Sequence, residues 1–409
     1  MRALLVDLGL ARAGWTAVAG RWRPGAPWRR GGVLRLVELP APALPAGPGW
    51  ALVRPTLAGV CGSDLKLLRV TGLSPLLTAY NPSQRAVPGH ELTGVVQAVT
   101  PGTRAVAEGD PVLVEPTVRC LHKGLPECRR CQAGEGHLCQ NLDRAGELCA
   151  GQGIGFAERV GGGWSEAVLA HESMLLPADG LAPERAVLAE PAAVALHAAL
   201  RWRRSGDSAV VIGPGTIGLL VMAALRRLHS DLDVTAVCAG QFGAERALAA
   251  GASRTVQQPA ERVLAEVATV TGARTLRPRI GRLPVLDGGL DAVLDCIGTP
   301  HTIDLAVRLL RPRGTVVLVG TAGRQRVDWS LVWWRELSVL GSVVYGREAD
   351  GSRTIGRVRE WLSDPDYAVD MIVTHRFSLD RYAQALTVAG AGPRAGAIKV
   401  VLEGPAAGS

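Results

Sequence analysis

Residues 208–212 read Ser-Ala-Val-Val-Ile, and this apolar run passes directly into Gly213-Pro214-Gly215-Thr216-Ile217-Gly218 and then into LLVMAALRRL. A buried strand that turns at once into a helix commits the chain to a βαβ crossover, and so to a parallel sheet with helices packed on its faces. Gly213 permits the tight turn, Gly215 lets the backbone approach a pyrophosphate, and Gly218 lets helix and strand pack closely. The amides around Thr216 and Ile217, at the helix N-terminus, present donors and a positive dipole to phosphate. A GxGxxG pattern alone is weak; between a strand and a helix it is a strong dinucleotide signal. Helical stretches at 191–203 and 219–228 alternate with short apolar strands at 234–237, 292–296 and 315–319, which extends the βαβ pattern. Gly298, just past the strand at 292–296, joins the candidate cofactor residues.

The second strand of this unit selects the cofactor. Where an acidic residue would hydrogen-bond an adenosine ribose, the chain has Cys238 followed by Ala-Gly-Gln, and Arg246 lies a turn into the next helix. Without negative charge a 2′-phosphate is tolerated, and an arginine can pair with it. This favours NADP over NAD, with Arg246 as a solvated helix face the competing reading.

The first third differs in texture. It is rich in glycine and proline, with short β-type runs at 51–56, 92–99 and 111–114 separated by turn signals, which predicts a small barrel-like β domain. MRALLVDLG reads as a first strand, residues 21–32 (RWRPGAPWRRGG) as an exposed loop or hairpin insertion, and 397–402 as a closing strand. A chain of 409 residues suits two domains. No apolar run reaches the roughly eighteen residues of a membrane span, and Asp7 and Arg12 interrupt any signal-peptide pattern, so a cytoplasmic protein without a membrane partner is expected. The formal charge of +8 comes mostly from scattered arginines, clustered only at 21–30, 201–204 and 274–282. No recognised nucleic-acid module accompanies them, so no nucleic-acid partner is expected.

Four of the eight cysteines, Cys120, Cys128, Cys131 and Cys139, fall within twenty residues, in a loop with few apolar residues. With nothing pointing to an oxidising compartment, this favours metal thiolates over disulfides. Four thiolates suit a closed, structural zinc. Cys128, Cys131 and Cys139 supply three of them, and Cys120, His122 and Cys149 compete for the fourth place.

A second constellation pairs Gly59-Val-Cys61-Gly-Ser63-Asp64 with Pro88-Gly-His90-Glu91. Cys61 and His90 are the thiolate and imidazole that zinc prefers, and Glu190, ahead of Pro191 at the predicted domain junction, offers an oxygen ligand. An open zinc site has three protein ligands and lowers the pKa of a bound oxygen to about 7. Ser63 is placed to carry an alcohol proton away, and Asp64 to hydrogen-bond the ligating imidazole.

GVCGSD, PGHELTGVV, the cysteine loop, LAEPAAVALHA, VIGPGTIGLL, LDAVLDCIG and RPRGTVVLVG occur in the order seen in the zinc-dependent medium-chain dehydrogenases, which the chain resembles from about residue 38 to its end. Glu190-Pro191 resembles the polyol, sugar and threonine dehydrogenase branch more than the liver alcohol dehydrogenase branch, which places cysteine there. The resemblance implies an α/β protein: a GroES-like β-barrel catalytic domain (1–190, completed by 342–409) and a Rossmann doubly wound parallel sheet (191–341). It implies a homodimer or homotetramer, catalytic and structural zinc, NADP or NAD, and a small alcohol or carbonyl substrate. Cys61, His90 and one of Glu91 or Glu190 would hold the catalytic zinc, with hydride moving between an alcohol carbon and the nicotinamide. The chain departs from the family at three places. Lys66 stands where a proton-relay histidine is common, Leu125 where the first loop cysteine is usual, and the segment carrying Arg69, Tyr80, Asn81 and Arg85 is longer than usual. The rival expectations are a zinc-free quinone or enoyl reductase on the same fold, a non-catalytic cofactor-binding relative, and a metal module acting through the cysteine loop alone.

Overall fold

The computed structural model describes residues 1–23, 25–70, 85–144, 151–157, 159–279 and 283–404. Tyr80, Asn81 and Cys149 lie outside them. The chain divides into two compact units, one of Met1–Glu190, Tyr345–Asp364 and Val373–Ser409, the other of Pro191–Val344 and Pro365–Ile372.

In the first unit the long strand Trp50–Gly59 is the spine. It pairs antiparallel with Leu92–Val99, with Lys399–Glu403 and with Val168–His171, and the sheet continues outward through Pro111–Val114 and Leu175–Pro177 on one side and Val373–Ser378 on the other. Alternate residues of the spine face a core that includes Trp164, Val53, Leu92 and Val112. A smaller sheet pairs Arg2–Asp7 with Leu34–Glu38 and with Arg85–Ala86. The strand Arg2–Asp7 falls where MRALLVDLG was expected.

The stretch 21–32 is exposed as expected at 21–23 and 29–31 but buried at its centre. Ala26–Trp28 forms a buried 3₁₀ turn, and the Trp28 indole donates to Thr387 Oγ1 at 3.2 Å. Two tryptophans amid arginines look solvent-facing in sequence, but Pro27 fixes a turn that folds the second one inward. Ahead of it, Leu10–Ala19 forms a helix that the sequence pattern did not single out.

The second unit holds a six-stranded parallel sheet in the order Arg254–Gln257, Asp233–Cys238, Ser208–Ile212, Leu290–Asp295, Leu310–Leu318, Ser338–Gly341. Numbered along the chain this is 3-2-1-4-5-6, the doubly wound order whose switch point lies beside the first strand. Helix Ala189–Arg201 begins two residues before the expected 191. Proline is tolerated in a first turn, where its missing N–H had no helical partner, so Glu190 sits inside that turn.

Candidate active site

The spine strand delivers the chain to Cys61, whose extended backbone caps helix Gly62–Arg69. Asp64, in the first turn, accepts the Cys61 amide at 2.9 Å through Oδ2, which fixes the carboxylate. Its other oxygen faces Nδ1 of His90 at 3.5 Å; both atoms are buried and unpaired by hydrogen bonds. The His90 ring lies against Phe156 with centroids 5.0 Å apart. Burial opposes a charged imidazole, but the Asp64 carboxylate and the Cys61 thiol outweigh it and hold the His90 pKa well above its ordinary value.

Glu91, beside His90, is buried and bound through both oxygens by Lys399 Nζ, at 2.8 and 2.6 Å, while the same ammonium donates to Val60 O at 3.2 Å. The carboxylate fits because the spine has glycine next to it: a Cβ at Gly59 would stand 1.9 Å from Glu91 Oε2. One ligand atom each from Cys61, His90 and Glu91 lies within 4.8 Å of the others. Glu190 is not in that group but is buried close by. Burial pushes its pKa up to about 7, with His90 and Lys399 pulling down and Glu91 and Asp64 pushing up. Ser63 is half-buried and Lys66 exposed one turn on; partial burial of the ammonium lowers the Lys66 pKa, with Cys61 opposing.

Two participants were missed. Lys399 is the only charged residue in the apolar run 397–402, a usable signal, because a lysine inside a buried strand needs a carboxylate. The hydroxyl of Tyr345 is buried without a hydrogen bond, and burial followed by the charges of Glu190 and Glu115 raises its pKa. Nothing in the sequence marked it.

The four loop cysteines converge. Cys120, Cys128, Cys131 and Cys139 place their sulfurs within 4.8 Å of one another, with Cys120–Cys139 at 3.5 Å and Cys128–Cys139 at 4.0 Å. Tetrahedral zinc thiolates have sulfurs about 3.8 Å apart, whereas a disulfide needs about 2.0 Å. Amides of Cys128, Gln140 and Asn141 and the Asn141 side chain donate to these sulfurs at 3.2–3.4 Å, as suits thiolate charge. Among the described residues Cys120 is thus the fourth thiol of the cluster, despite its displaced position. His122 is turned elsewhere, taking the Arg119 amide on Nδ1 at 3.2 Å and meeting Ser173 Oγ through Nε2 at 3.0 Å. The buried Lys123 ammonium ties the loop together by donating to Asn141 O and Leu142 O at 2.8 and 2.9 Å.

In the second unit Gly213 has φ +95°, and a Cβ on Gly218 would meet Gly213 O at 1.9 Å, so strand and helix are in contact there. Gly215 caps helix Thr216–Leu228 and a Cβ there would meet nothing within 4 Å. That open cradle, before the helix-start amides of Thr216 and Ile217, fits a pyrophosphate. Beyond the fourth strand, buried Asp295 accepts the amides of Ile297 and Gly298 at 2.9 and 3.0 Å and the Thr302 hydroxyl at 2.8 Å, which sets the turn carrying Gly298. Cys238 is fully buried, and burial pushes its thiol up to about 11, so it is neutral. Arg246 lies with its guanidinium 3.6 Å from the Phe242 ring centroid and its Nε buried and unpaired.

Both clusters fit zinc by donor type. One is a closed set of four sulfurs; the other combines sulfur, imidazole and carboxylate, with an unsatisfied buried imidazole nitrogen to be oriented.

Two family models match the chain: an alcohol dehydrogenase GroES-like domain over residues 47–180 and a zinc-binding dehydrogenase over residues 216–363. L-threonine 3-dehydrogenase from Pyrococcus abyssi (strain GE5 / Orsay) is 28% identical over 360 residues, covering 87% of this chain and 91% of that protein. A zinc-binding dehydrogenase from Sinorhizobium meliloti 1021 bound to NADP superposes with a TM-score of 0.69 at 27% identity, covering 90% of this chain and 95% of that one. The 2R,3R-butanediol dehydrogenase from Bacillus subtilis gives 0.69 at 25% identity, covering 91% and 96%.

Proposed function

Since the chain belongs to the zinc-dependent medium-chain dehydrogenase superfamily, we propose that it oxidises a secondary alcohol of the polyol, sugar or amino-alcohol class, or reduces the matching carbonyl, with NADP preferred over NAD. The observation that carries this reading is the meeting of Cys61 and His90 ligand atoms within 4.8 Å, beside the buried carboxylates of Glu91 and Glu190, in the unit that the GroES-like model matches. The proposed catalytic domain is 1–190 with 342–409, and the nucleotide-binding domain is 191–341.

Cys61, His90 and a carboxylate would hold the zinc, which supplies a Lewis acid to the substrate oxygen when bound. Glu91 already has Lys399 on both oxygens, so Glu190 is the carboxylate proposed to face the metal. Asp64 holds the His90 ring in place and Lys399 holds Glu91; both are positioning residues. Ser63 takes the substrate's hydroxyl proton. Lys66, three residues on and so on the same helix face, passes it to solvent. In the second unit Gly213, Gly215 and Gly218, with the Thr216 and Ile217 amides, cradle the pyrophosphate. Gly298 lines the nicotinamide side, Cys238 ends the strand beneath the adenosine, and Arg246 pairs with the 2′-phosphate.

The protein is proposed to be cytoplasmic; among the described residues no helix is long and apolar enough to cross a membrane. It is proposed to assemble as two or four copies. Ser338–Gly341 ends the parallel sheet, and Trp329, Trp333, Trp334 and Val343 are exposed in the chain around it, features that suit strand-to-strand association. The test of function is nicotinamide reduction across a panel of polyols, sugars and amino alcohols. A zinc-loaded protein that turns over none of them, in either direction and with either nucleotide, contradicts the reading.

A further inference from the structure

Helix Leu10–Ala19 is turned inside out relative to an ordinary surface helix. Leu10, Ala11, Gly14, Trp15 and Val18 are exposed, and at 3.6 residues per turn they share an arc of about 140°. The opposite side carries Arg12, Ala13, Thr16 and Ala17, with Thr16 fully buried. Leu10 is 90% exposed, Val18 63% and Trp15 42%. Turns after the helix, with Trp22 N bonded to Ala19 O and Arg23 N to the same oxygen, continue the apolar face to Trp22, 85% exposed. A helix whose only purpose is to cover a core presents its polar side to water.

Charge surrounds this apolar face. Residues 10–32 contain five arginines and no acid. Arg21, Arg23, Arg29 and Arg30 are exposed, and none pairs with a carboxylate among the described residues. The surface is also mounted rigidly. Arg12 donates to Gly32 O at 3.2 Å and lies 3.7 Å from Asp7, Trp28 is part of the main core, and the strands flanking the segment pair in register from Arg2↔Glu38 to Val6↔Leu34.

We propose that residues 10–23 and 25–30 form a peripheral docking surface for an anionic lipid bilayer, with Leu10, Trp15, Val18 and Trp22 entering the interfacial layer and Arg21, Arg23, Arg29 and Arg30 against the headgroups. Apolar and indole side chains beside arginines are the composition that binds a charged lipid–water boundary. A nucleic acid offers nothing to the aliphatic side chains of Leu10 and Val18. A second copy of the same surface would bring four unpaired positive charges against four. The surface lies in the first unit, so docking holds the proposed catalytic domain at the bilayer, where substrates partitioned into the membrane are concentrated.

The test is co-sedimentation of the full-length protein with vesicles of phosphatidylcholine alone and of phosphatidylcholine mixed with phosphatidylglycerol, together with light scattering and a duplex-DNA retention assay. Binding is expected to the anionic vesicles only. Each arginine near such a surface contributes about a factor of five, so Arg29→Gln with Arg30→Gln should weaken partitioning by about 25-fold. Leu10→Ser, Val18→Ser and Trp22→Ser together, all at exposed positions, should abolish it while leaving the fold and turnover of a water-soluble substrate unchanged. No binding to anionic vesicles, equal binding to both vesicle types, or undiminished binding by the triple variant overturns the proposal. So does a fall in oligomeric mass on that substitution, which would assign the face to a second copy, or retention by DNA without vesicle binding.

Discussion

The first unit contains two clusters suited to metal, and they are built in opposite ways. The four-cysteine cluster draws its four thiols from Cys120 to Cys139, gives amide donors to three of its sulfurs, and is a set that would close all four corners of a tetrahedral metal. The Cys61–His90–Glu91 cluster instead gathers side chains from a helix cap and from the turn that leads into strand Leu92–Val99. Its support comes from farther still: Lys399 reaches Glu91 across 308 residues. A closed site holds a loop whose composition cannot supply a core, whereas a mixed site framed by buried ion pairs leaves a position open for substrate. On the proposed reading, stability and chemistry are separated within one unit, and removing one should leave the other.

The largest effect expected is chemical. His90→Ala should lower turnover at least about a thousandfold, a loss of roughly 4 kcal/mol or more in transition-state stabilisation, while the far-ultraviolet circular dichroism and nucleotide binding stay as they were. Retained turnover would remove the distinction between the clusters. Next comes Lys399→Met, which strands the buried Glu91 carboxylate and should destabilise the first unit by about 3–5 kcal/mol in denaturant titrations. Lys399→Arg should recover most of that. Equal stability of Lys399→Met and the parent would show that the ion pair does not hold the site. Cys131→Ser should cost less, about 2–3 kcal/mol, the linkage of a metal present near a hundred times its dissociation constant. One zinc is lost, proteolysis within the cysteine loop quickens, and the turnover of molecules that remain folded is kept. A complete loss of their turnover would merge the two sites functionally. The smallest change is in the second unit: Arg246→Ala should raise the KM for NADP about tenfold, as expected for one hydrogen bond to a charged group, with NAD unaffected. A matching rise for both nucleotides would assign Arg246 to packing against Phe242.

What could be read in advance follows the same division. The cysteine loop and the strand–glycine–helix unit are local, so spacing alone reveals them, and Gly213, Gly215 and Gly218 occupy the places their steric roles require. Cys61 and His90 were legible as ligand types, but their meeting depends on strand pairing between Trp50–Gly59 and Leu92–Val99, which no local pattern encodes. Lys399 was legible as a buried lysine in need of a carboxylate but not as the partner of Glu91, and Tyr345 carried no signal, because such partners lie hundreds of residues away. Helix Leu10–Ala19 escaped for a different reason: one glycine and four alanines blur its periodicity, and its apolar face points outward.

The most direct measurement is zinc per chain, by elemental analysis of the purified parent and of Cys61→Ala, with turnover recorded on the same samples. Two zinc atoms in the parent, one in the variant and turnover lost with it is the result expected. Two zinc atoms in both proteins, or full turnover in the variant, would contradict a metal held at Cys61 and His90.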